Sequence, residues 1–308
     1  TASLGTGRTA VAISAGSFHT CATLDDGSVA CWGYNYHGQL GDGSTTNRDT
    51  PSQTASLGTG RTAVAISAGD MYTCAILDDG AVSCWGYNGN GRIGDGTGID
   101  RLTPTQTASL GTGRTAVAIS AGDYHVCAIL DDGSVSCWGE NNYGNLGDGT
   151  TAHRDTPTQT ATLGTGRTAV SISPGHDHTC AILDDGSASC WGSNEYGQLG
   201  DGTTTNRDTP TQTASLDPGR TAISISSGVD HTCAVLDDGS VACWGYNYYG
   251  QLGDGTTTQR ATPTQTASLG TGRTAHMNYA SATWSGTPTT LDATGTTIQA
   301  WANNTTHV

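Results

Sequence analysis

One thirteen-residue pattern occurs five times in this chain, and each copy starts 53 residues after the copy before it. The first copy is CATLDDGSVACWG at 21–33, and the others begin at Cys74, Cys127, Cys180 and Cys233. A fixed spacing of this length is typical of architectures in which each repeat packs against its neighbours. The 308 residues are therefore expected to form one array rather than two independent domains.

Two cysteines stand ten positions apart in every copy, around an Asp-Asp-Gly turn. If Asp25, Asp26 and Gly27 form a three-residue hairpin loop, Cys21 faces Cys31 across two antiparallel strands, close enough for a disulfide. A zinc site would need a second pair of ligands beside each cysteine pair, and a redox site would need a closer Cys-x-x-Cys pair. The pattern predicts five hairpin disulfides: Cys21–Cys31, Cys74–Cys84, Cys127–Cys137, Cys180–Cys190 and Cys233–Cys243.

The ten cysteines all belong to these pairs, which indicates an oxidising compartment and predicts an extracellular or cell-surface protein. The formal net charge is -15, from 27 acidic residues against 12 basic ones, all of them arginine. Such a surface repels phosphates and anionic lipids, so neither nucleic acid nor membrane insertion is expected. No signal peptide or apolar span of about 20 residues is visible. Because the chain begins at Thr1, it is expected to be a processed or trimmed product.

Four extended segments are predicted in each repeat. AVAISAG at 10–16 alternates small and β-branched residues, FHTCATL and SVACW form the hairpin, and TPSQTASL at 50–57 is expected to form a fourth strand that begins after Pro51. Four short strands per unit of about 40–50 residues are typical of a propeller blade. The predicted fold is all-β, a β-propeller of five four-stranded repeats.

The run AISAGSFHTCATLDDGSVACWGYNYHGQLGDGSTT resembles the regulator-of-chromosome-condensation repeat in its Ala-Gly-x-x-His, Trp-Gly-x-Asn and Gly-Gln-Leu-Gly elements. It also resembles secreted bacterial propellers of the β-lactamase-inhibitor type. The resemblance covers about residues 1–275 and implies a propeller. The family includes exchange factors, inhibitors and scaffolds, so the resemblance does not imply one function. The acidic charge and paired cysteines do not suit a nuclear protein.

The chain changes character after residues 266–275, which repeat residues 1–10 letter for letter. Two regions are therefore expected: a repeat propeller at 1–275 and a strand-forming tail at 276–308. The tail is predicted to be either a divergent sixth blade or a strand donated to another molecule, with Tyr279, Trp284 and Trp301 as its assembly residues.

Residues that recur once per blade have a structural interpretation. His19, His125, His178 and His231 are expected to form hydrogen bonds between blades, and the five Trp-Gly tryptophans to pack the blades together. The Asp-Gly loops could hold calcium, but Asx turns are favoured because the ligand spacing of an EF-hand is absent. No cofactor or metal is expected. No free nucleophile or unique constellation of catalytic residues is present, so the chain is not expected to be an enzyme.

The loop after each Trp-Gly varies around a constant asparagine, and many of its variable residues are tyrosines. A ring of tyrosine-rich loops is a plausible contact surface for a protein or a glycan, although unselected drift would also produce variation. The candidate binding residues are Tyr34, Tyr36, His37, Tyr87, Glu140, Tyr143, Glu195, Tyr196, Tyr246, Tyr248 and Tyr249.

The sequence thus predicts a non-enzymatic extracellular propeller. Near-identical blades and a strand-like tail favour self-assembly into a surface fibre or lattice, with other copies as partners. The alternative is an adhesin or inhibitor that binds a protein or glycan through the tyrosine-rich loops, and a propeller lyase or glycosidase is a more distant option.

Overall fold

A computed structural model describes residues 4–269 and residue 275. These residues form five antiparallel sheets, each with its four strands in chain order. We call the sheets blades 1 to 5. Blade 1 contains β1 (Ala10–Ala15), β2 (His19–Leu24), β3 (Val29–Gly33) and β4 (Arg48–Gln53); blade 2 contains β5 (Ala63–Ala68), β6 (Tyr72–Leu77), β7 (Val82–Gly86) and β8 (Arg101–Gln106). Blade 3 contains β9 (Ala116–Ala121), β10 (His125–Leu130), β11 (Val135–Gly139) and β12 (Arg154–Gln159); blade 4 contains β13 (Ala169–Pro174), β14 (His178–Leu183), β15 (Ala188–Gly192) and β16 (Arg207–Gln212); blade 5 contains β17 (Ala222–Ser227), β18 (His231–Leu236), β19 (Val241–Gly245) and β20 (Arg260–Gln265).

The fourth strand of each blade differs from the expected one. In blade 1 it begins at Arg48 and includes Pro51, whereas the sequence analysis placed its start after the proline. β4 lies at the edge of its sheet, where a residue without an N–H group is tolerated. The pairing of β3 with β4 is also irregular between Cys31 and Gly33, so the ladder does not need a donor from every residue.

The central hairpin of each blade has the predicted register, with Cys21 opposite Cys31 and Thr23 opposite Val29. Gly27 closes the turn at a φ of +74° and donates its N–H to the carbonyl oxygen of Leu24 at 2.9 Å. All five predicted cysteine pairs form disulfides within their own hairpins, and no cysteine is free in the described part of the chain. The disulfides indicate a non-cytosolic protein.

The hydrophobic core lies between the blades rather than within a single layer. One cluster joins Tyr72 and Ile76 of blade 2 to Val126 and Trp138 of blade 3, and similar clusters fill the other gaps. Each blade is therefore stabilised mainly by its neighbours. The Trp-Gly tryptophans of blades 2 to 5 are fully buried in these gaps, as expected for packing residues: Trp85, Trp138, Trp191 and Trp244.

The Asp-Gly loops are held by contacts within the chain. In blade 1, the carboxylate of Asp42 accepts hydrogen bonds from the backbone N–H of Ser44 at 2.9 Å and from Nε of Arg48 at 2.8 Å. Nδ2 of the buried Asn35 also donates to the carbonyl oxygens of Ser44 and Thr46. The favoured Asx turn is present, and the described residues contain no cluster of His, Cys, Asp or Glu arranged to hold a metal ion.

The chain leaves blade 5 in phase with the repeat. The backbone N–H of Ala275 donates to the carbonyl oxygen of Gly239 at 2.9 Å, as that of Ala63 does to Gly27 at 2.8 Å. Ala63 is the first residue of blade 2, so Ala275 occupies the position at which a further blade would begin. The expected tail at 276–308, with Tyr279, Trp284 and Trp301, lies outside the described residues. No helix in the described part of the chain is long and apolar enough to cross a membrane.

Candidate interaction surfaces

Neighbouring blades are joined by a short chain of hydrogen bonds. At the joint between blades 1 and 2, Nε2 of His19 lies 2.7 Å from Oγ1 of Thr73, which donates to the carbonyl oxygen of Gln39 at 3.0 Å. The same arrangement recurs between blades 3 and 4 and between blades 4 and 5. Between blades 2 and 3, Tyr72 replaces the histidine, and its hydroxyl lies 2.8 Å from the carbonyl oxygens of Gly122 and His125.

The histidines of these joints are neutral. The threonine hydroxyl donates its one proton to a carbonyl oxygen, so Nε2 of the histidine must be the donor to the threonine. Nδ1 is then unprotonated, and in His19, His125 and His178 it is buried with no hydrogen-bond partner. Burial accordingly lowers the pKa of His19 and His125 to about 4 and that of His178 to about 3.

A tryptophan and a serine make further hydrogen bonds across the joints. The indole N–H of Trp244 donates to the carbonyl oxygen of Gln198 at 2.9 Å, and Trp138 and Trp191 make the same bond to the preceding blade. Oγ of Ser173 accepts the backbone N–H of Ser227 in the next blade at 2.8 Å. The interior joints are thus variants of one set of contacts. Trp85, between blades 1 and 2, is buried without a partner for its indole N–H, and Pro174, between blades 3 and 4, has no backbone N–H to donate.

Within the described part of the chain, each of the two outer blades carries one half of this joint without the other half. On blade 1, Trp32 and Thr20 are only partly buried, whereas Trp85 and Thr73 at the same positions are 0% exposed. We define the leading face as the surface of blade 1 that contains Ala15, Thr20 and Trp32. We define the trailing face as the surface of blade 5 that contains Ser226, His231 and Gln251.

The trailing face is open in the described part of the chain. His231 is partly exposed and Ser226 is exposed, whereas His178 is 0% and Ser173 is 1% exposed. A Cβ at Gly253 would meet only Thr266 of its own blade, whereas at Gly200 it would meet the indole of the next blade's tryptophan at 2.8 Å. The leading and trailing faces therefore hold the two complementary sides of a joint that the described residues do not close.

A second surface lies at one end of every blade, where two loops meet. The residue after each Trp-Gly donates its backbone N–H to the residue before the second strand, as Tyr34 does to Phe18 at 2.9 Å. The same bond joins Tyr87 to Met71 and Tyr246 to Asp230. Because this hydrogen bond recurs in all five blades, it places the variable residues of both loops side by side on one face.

Aromatic rings on this face contact one another across blade boundaries. In blade 1 the rings of Tyr34 and Tyr36 are stacked with centroids 6.5 Å apart, and His37 lies 4.7 Å from Tyr87 of blade 2. Tyr124 of blade 3 lies 4.6 Å from His176 of blade 4. We call the whole set the aromatic arc, and its members are Phe18, Tyr34, Tyr36, His37, Tyr87, Tyr124, His176, Tyr196, Tyr246, Tyr248 and Tyr249.

The end of the arc on blades 4 and 5 is the most exposed. Tyr196 lies 4.9 Å from Tyr246, and Tyr246 is stacked on Tyr248 at 6.4 Å. Tyr248 is 68% and Tyr249 is 81% exposed. Exposed aromatic clusters of this kind are typical of protein interaction sites.

Arg92 is the one arginine that lies within the arc in the described chain. Its guanidinium carbon is 4.8 Å from the ring centre of Tyr87 and 4.7 Å from that of Tyr124, and the residue is 5% exposed. Nη2 of Arg92 is 3.9 Å from a carboxylate oxygen of Glu140. The arc therefore already holds one guanidinium between two aromatic faces and beside a carboxylate.

Carboxylates line the gap between the two halves of the arc. His176 bonds to Asp177 at 2.8 Å, which raises the pKa of the imidazole. Burial raises the pKa of the half-buried Asp230, and Asp177 and Glu195 raise it further against the opposing effect of His176. Asp230 is thus a half-buried carboxyl group with two acidic neighbours and one histidine.

The structure brings together most of the expected binding residues and adds others. Glu140 and Glu195 lie beside the arc, and Tyr143 is 38% exposed without a ring contact in the described chain. Phe18, Arg92, Tyr124 and His176 were missed. Arg92 could have been found because it replaces glutamine in the Gly-Gln-Leu-Gly element, where the other copies have glutamine or asparagine.

Comparison with known proteins identifies the repeat. The family model of the RCC1-like domain matches residues 2–286. The chain belongs to the RCC1-like domain family. Membership confirms the resemblance seen in the sequence and agrees with the five-bladed architecture.

Two relatives of this chain have different functions. The chain is 34% identical over 249 residues to the ultraviolet-B receptor UVR8 of Arabidopsis thaliana, which covers 80% of this chain and 56% of the receptor. It is 32% identical over 256 residues to the E3 ubiquitin-protein ligase HERC2 of Homo sapiens, covering 82% of this chain and 5% of the ligase. The chain thus spans little more than half of the first relative and a small part of the second.

A solved structure shows the same fold at lower identity. Yeast RCC1 (Prp20), in a complex with Kap60, superposes with a TM-score of 0.74 at 19% identity, over 86% of this chain and 62% of that chain. This similarity supports the propeller fold alone.

Proposed function

We propose that this chain is a non-enzymatic extracellular propeller that binds other copies of itself end to end, with the leading face of one copy on the trailing face of the next. The observation that carries the proposal is the pair of half-joints that residues 4–269 leave unfilled. Within the chain, Trp244 and Thr232 contact Gln198, and Ser227 contacts Ser173. The residues at the same repeat positions on the leading face are Trp32, Thr20 and Ala15. A contact of this kind does not close on itself and propagates as a filament.

The aromatic arc supplies a further match between the two faces. Inside the chain, the fourth residue of one Trp-Gly loop contacts the first residue of the next, as His37 contacts Tyr87 and Tyr196 contacts Tyr246. In an end-to-end contact the same rule would place Tyr249 against Tyr34 of the next copy. Both residues are exposed, at 81% and 36%, so both are free to make that contact.

The competing occupant of the trailing face is a further part of the same molecule, such as residues 276–308. The sequence favours a second copy over this segment. At the spacing of 53 residues, the joint tryptophan would fall at Thr297 and the paired cysteines at Gly286 and Thr296. At that spacing the segment therefore lacks the joint tryptophan and the hairpin cysteines.

Two complementary variants test the proposal. Trp32→Ala blocks the leading face and His231→Glu blocks the trailing face, and each alone should remain monomeric while the wild type assembles. Loss of a buried aromatic anchor costs more than about 2 kcal/mol at an interface, which is roughly a thirtyfold loss of affinity. A mixture of the two variants should form dimers and nothing larger, because each retains one intact face.

Sedimentation and negative-stain microscopy provide the measurements. Tyr143→Ala, an exposed tyrosine in the middle blade, is the control and should assemble like the wild type. If the two single variants assemble normally, the end-to-end proposal is wrong. It is also wrong if deletion of residues 276–308 unfolds a chain that is already monomeric at high concentration, because that segment then completes the ring.

A second candidate function is the binding of a separate protein by the aromatic arc, as in an adhesin or inhibitor. The exposed tyrosines of blade 5 favour it, because Tyr249 is the most exposed large apolar or aromatic residue in the described chain, at 81%, and Tyr248 beside it is 68% exposed. This function does not depend on assembly, since Tyr248 has no place in the proposed joint.

A further inference from the structure

The charges of the chain restrict what the aromatic arc can bind. Of the twelve basic residues, Arg273 lies outside the described residues, and each of the other eleven forms an ion pair with a carboxylate of the same chain. Among the described residues, an anionic partner would therefore find only arginines that already have a carboxylate partner. Anionic glycans and nucleic acids are disfavoured for the same reason.

Acidic groups outnumber basic ones beside the blade 5 end of the arc. The backbone N–H of Tyr246 bonds to the carbonyl oxygen of Asp230 at 2.9 Å, and the carboxylate of Asp230 acts electrostatically on the Tyr246 hydroxyl. Asp177 and Glu195 also act electrostatically on Asp230, and His176 has the opposite effect. The region combines exposed aromatic rings with an excess of negative charge.

One guanidinium of the chain, that of Arg92, already lies between aromatic rings and beside a carboxylate. Arg92 lies between the rings of Tyr87 and Tyr124 with Glu140 at 3.9 Å. The corresponding residue of blade 4 is Gln198, so that blade supplies no cation of its own. The tyrosines and carboxylates of blades 4 and 5 therefore offer the same two kinds of contact to a cation from outside.

We propose that the aromatic arc binds a protein segment rich in arginine, with a guanidinium seated beside Tyr246, Tyr248 and Asp230. The inference rests on the second candidate function and names the chemistry of its partner. Guanidinium is preferred to ammonium because it is planar, stacks on aromatic rings and is less strongly hydrated. Negative potential around the arc speeds the encounter with a basic segment.

The experiment measures the binding of four labelled peptides to the whole chain by fluorescence anisotropy. The peptides are eight-residue alternations of glycine with arginine, lysine, serine or glutamate. We expect the arginine peptide to bind more tightly than the lysine peptide, and the serine and glutamate peptides to bind at least roughly tenfold more weakly than the arginine peptide. Affinity for the arginine peptide should fall as sodium chloride is raised from about 50 to about 300 mM.

Paired variants separate the ring from the charge. Tyr248→Ala should weaken arginine-peptide binding roughly three- to tenfold, whereas Tyr248→Phe, which keeps the ring, should bind like the wild type. Asp230→Asn should weaken binding by a similar factor at low salt. Asp217→Asn removes the same charge from the opposite end of the blades and should have no effect.

Three outcomes would overturn the inference. These are equal binding of the glutamate peptide, equal binding by Asp230→Asn and Asp217→Asn, and unchanged binding by Tyr248→Ala. If Tyr248→Ala weakens the serine peptide while the basic peptides do not bind, the arc still binds proteins. In that case the second candidate function stands and the assignment of a basic partner is wrong.

Discussion

The four interior joints and the two outer faces are made from the same repeat positions, yet the residues have different surroundings. Trp191 is fully buried and donates its indole N–H to Asn145 at 3.0 Å, whereas Trp32 remains partly exposed. His178 bonds to Thr232, and His231 has no such threonine in the described chain. The repeat position therefore determines which side chain is present. Whether that side chain stabilises the fold or stays accessible to another molecule depends on whether a neighbouring blade packs against it.

The largest test of this difference uses the tryptophans. Trp191→Ala should lower the free energy of unfolding by about 3–5 kcal/mol, because it leaves a cavity between two blades and removes one of the two hydrogen bonds that the carbonyl oxygen of Asn145 accepts. Trp32→Ala should cost clearly less, since part of that ring already faces solvent. Urea denaturation at a concentration where both variants are monomeric gives the comparison, and equal losses would mean that blade 1 is packed as the interior blades are.

Disulfides provide the second test, and here no difference is expected. Replacing Cys127 and Cys137 together by alanine should cost about 2–3 kcal/mol, because the cross-link removes entropy from the unfolded chain by closing a loop of about ten residues. Replacing Cys21 and Cys31 should cost the same, since the loop has the same length. A much larger loss at the interior pair, measured by the same denaturation, would show that packing dominates over chain entropy.

The smallest test is the dependence of stability on pH. Unfolded histidine titrates near pH 6.5, whereas the pKa of His178 in the fold is about 3, so the unfolded chain binds more protons between these values. The free energy of unfolding should fall as the pH drops below about 6.5. His178 accounts for about 1.4 kcal/mol of this loss per pH unit.

A matched pair of variants isolates this effect. His178→Asn should flatten the decline between pH 6 and 5, and His231→Asn should flatten it less, because burial lowers the pKa of the partly exposed His231 to a smaller degree. His176, whose pKa is raised, contributes the opposite slope in both variants. The slope of the free energy of unfolding against pH is measured by urea denaturation at each pH. Equal slopes in the two variants would contradict the difference between the interior joint of His178 and the trailing face of His231.

Local features of the fold were predictable because they depend on short-range geometry. The facing of Cys21 and Cys31 follows from the turn and the two-residue period of a strand, and the structure confirms it. The start of β4 was wrong because tolerance of Pro51 depends on the strand being at a sheet edge, which no local pattern reveals.

The interaction surfaces were predictable only in part. The tyrosines after Trp-Gly stood out as variation within a constant frame. Tyr124 and His176 did not, because their contact joins loops 52 residues apart and depends on how two blades pack. The exposure of the two faces in the described chain could not be predicted either. Trp32 and Trp191 are the same residue at the same repeat position, and only their neighbours differ.

Each disulfide closes within its own repeat, and the joints use equivalent positions at a spacing of 53 residues. A recombination event that copies or removes 53 residues therefore keeps every cysteine with its partner. It also keeps the threonine and tryptophan of each joint wherever the donor repeat contains them. The number of blades can change in a single genetic step without passing through a misfolded intermediate. Unequal crossing-over between such similar coding segments is then a direct route to chains with different numbers of blades, all with the same two outer faces.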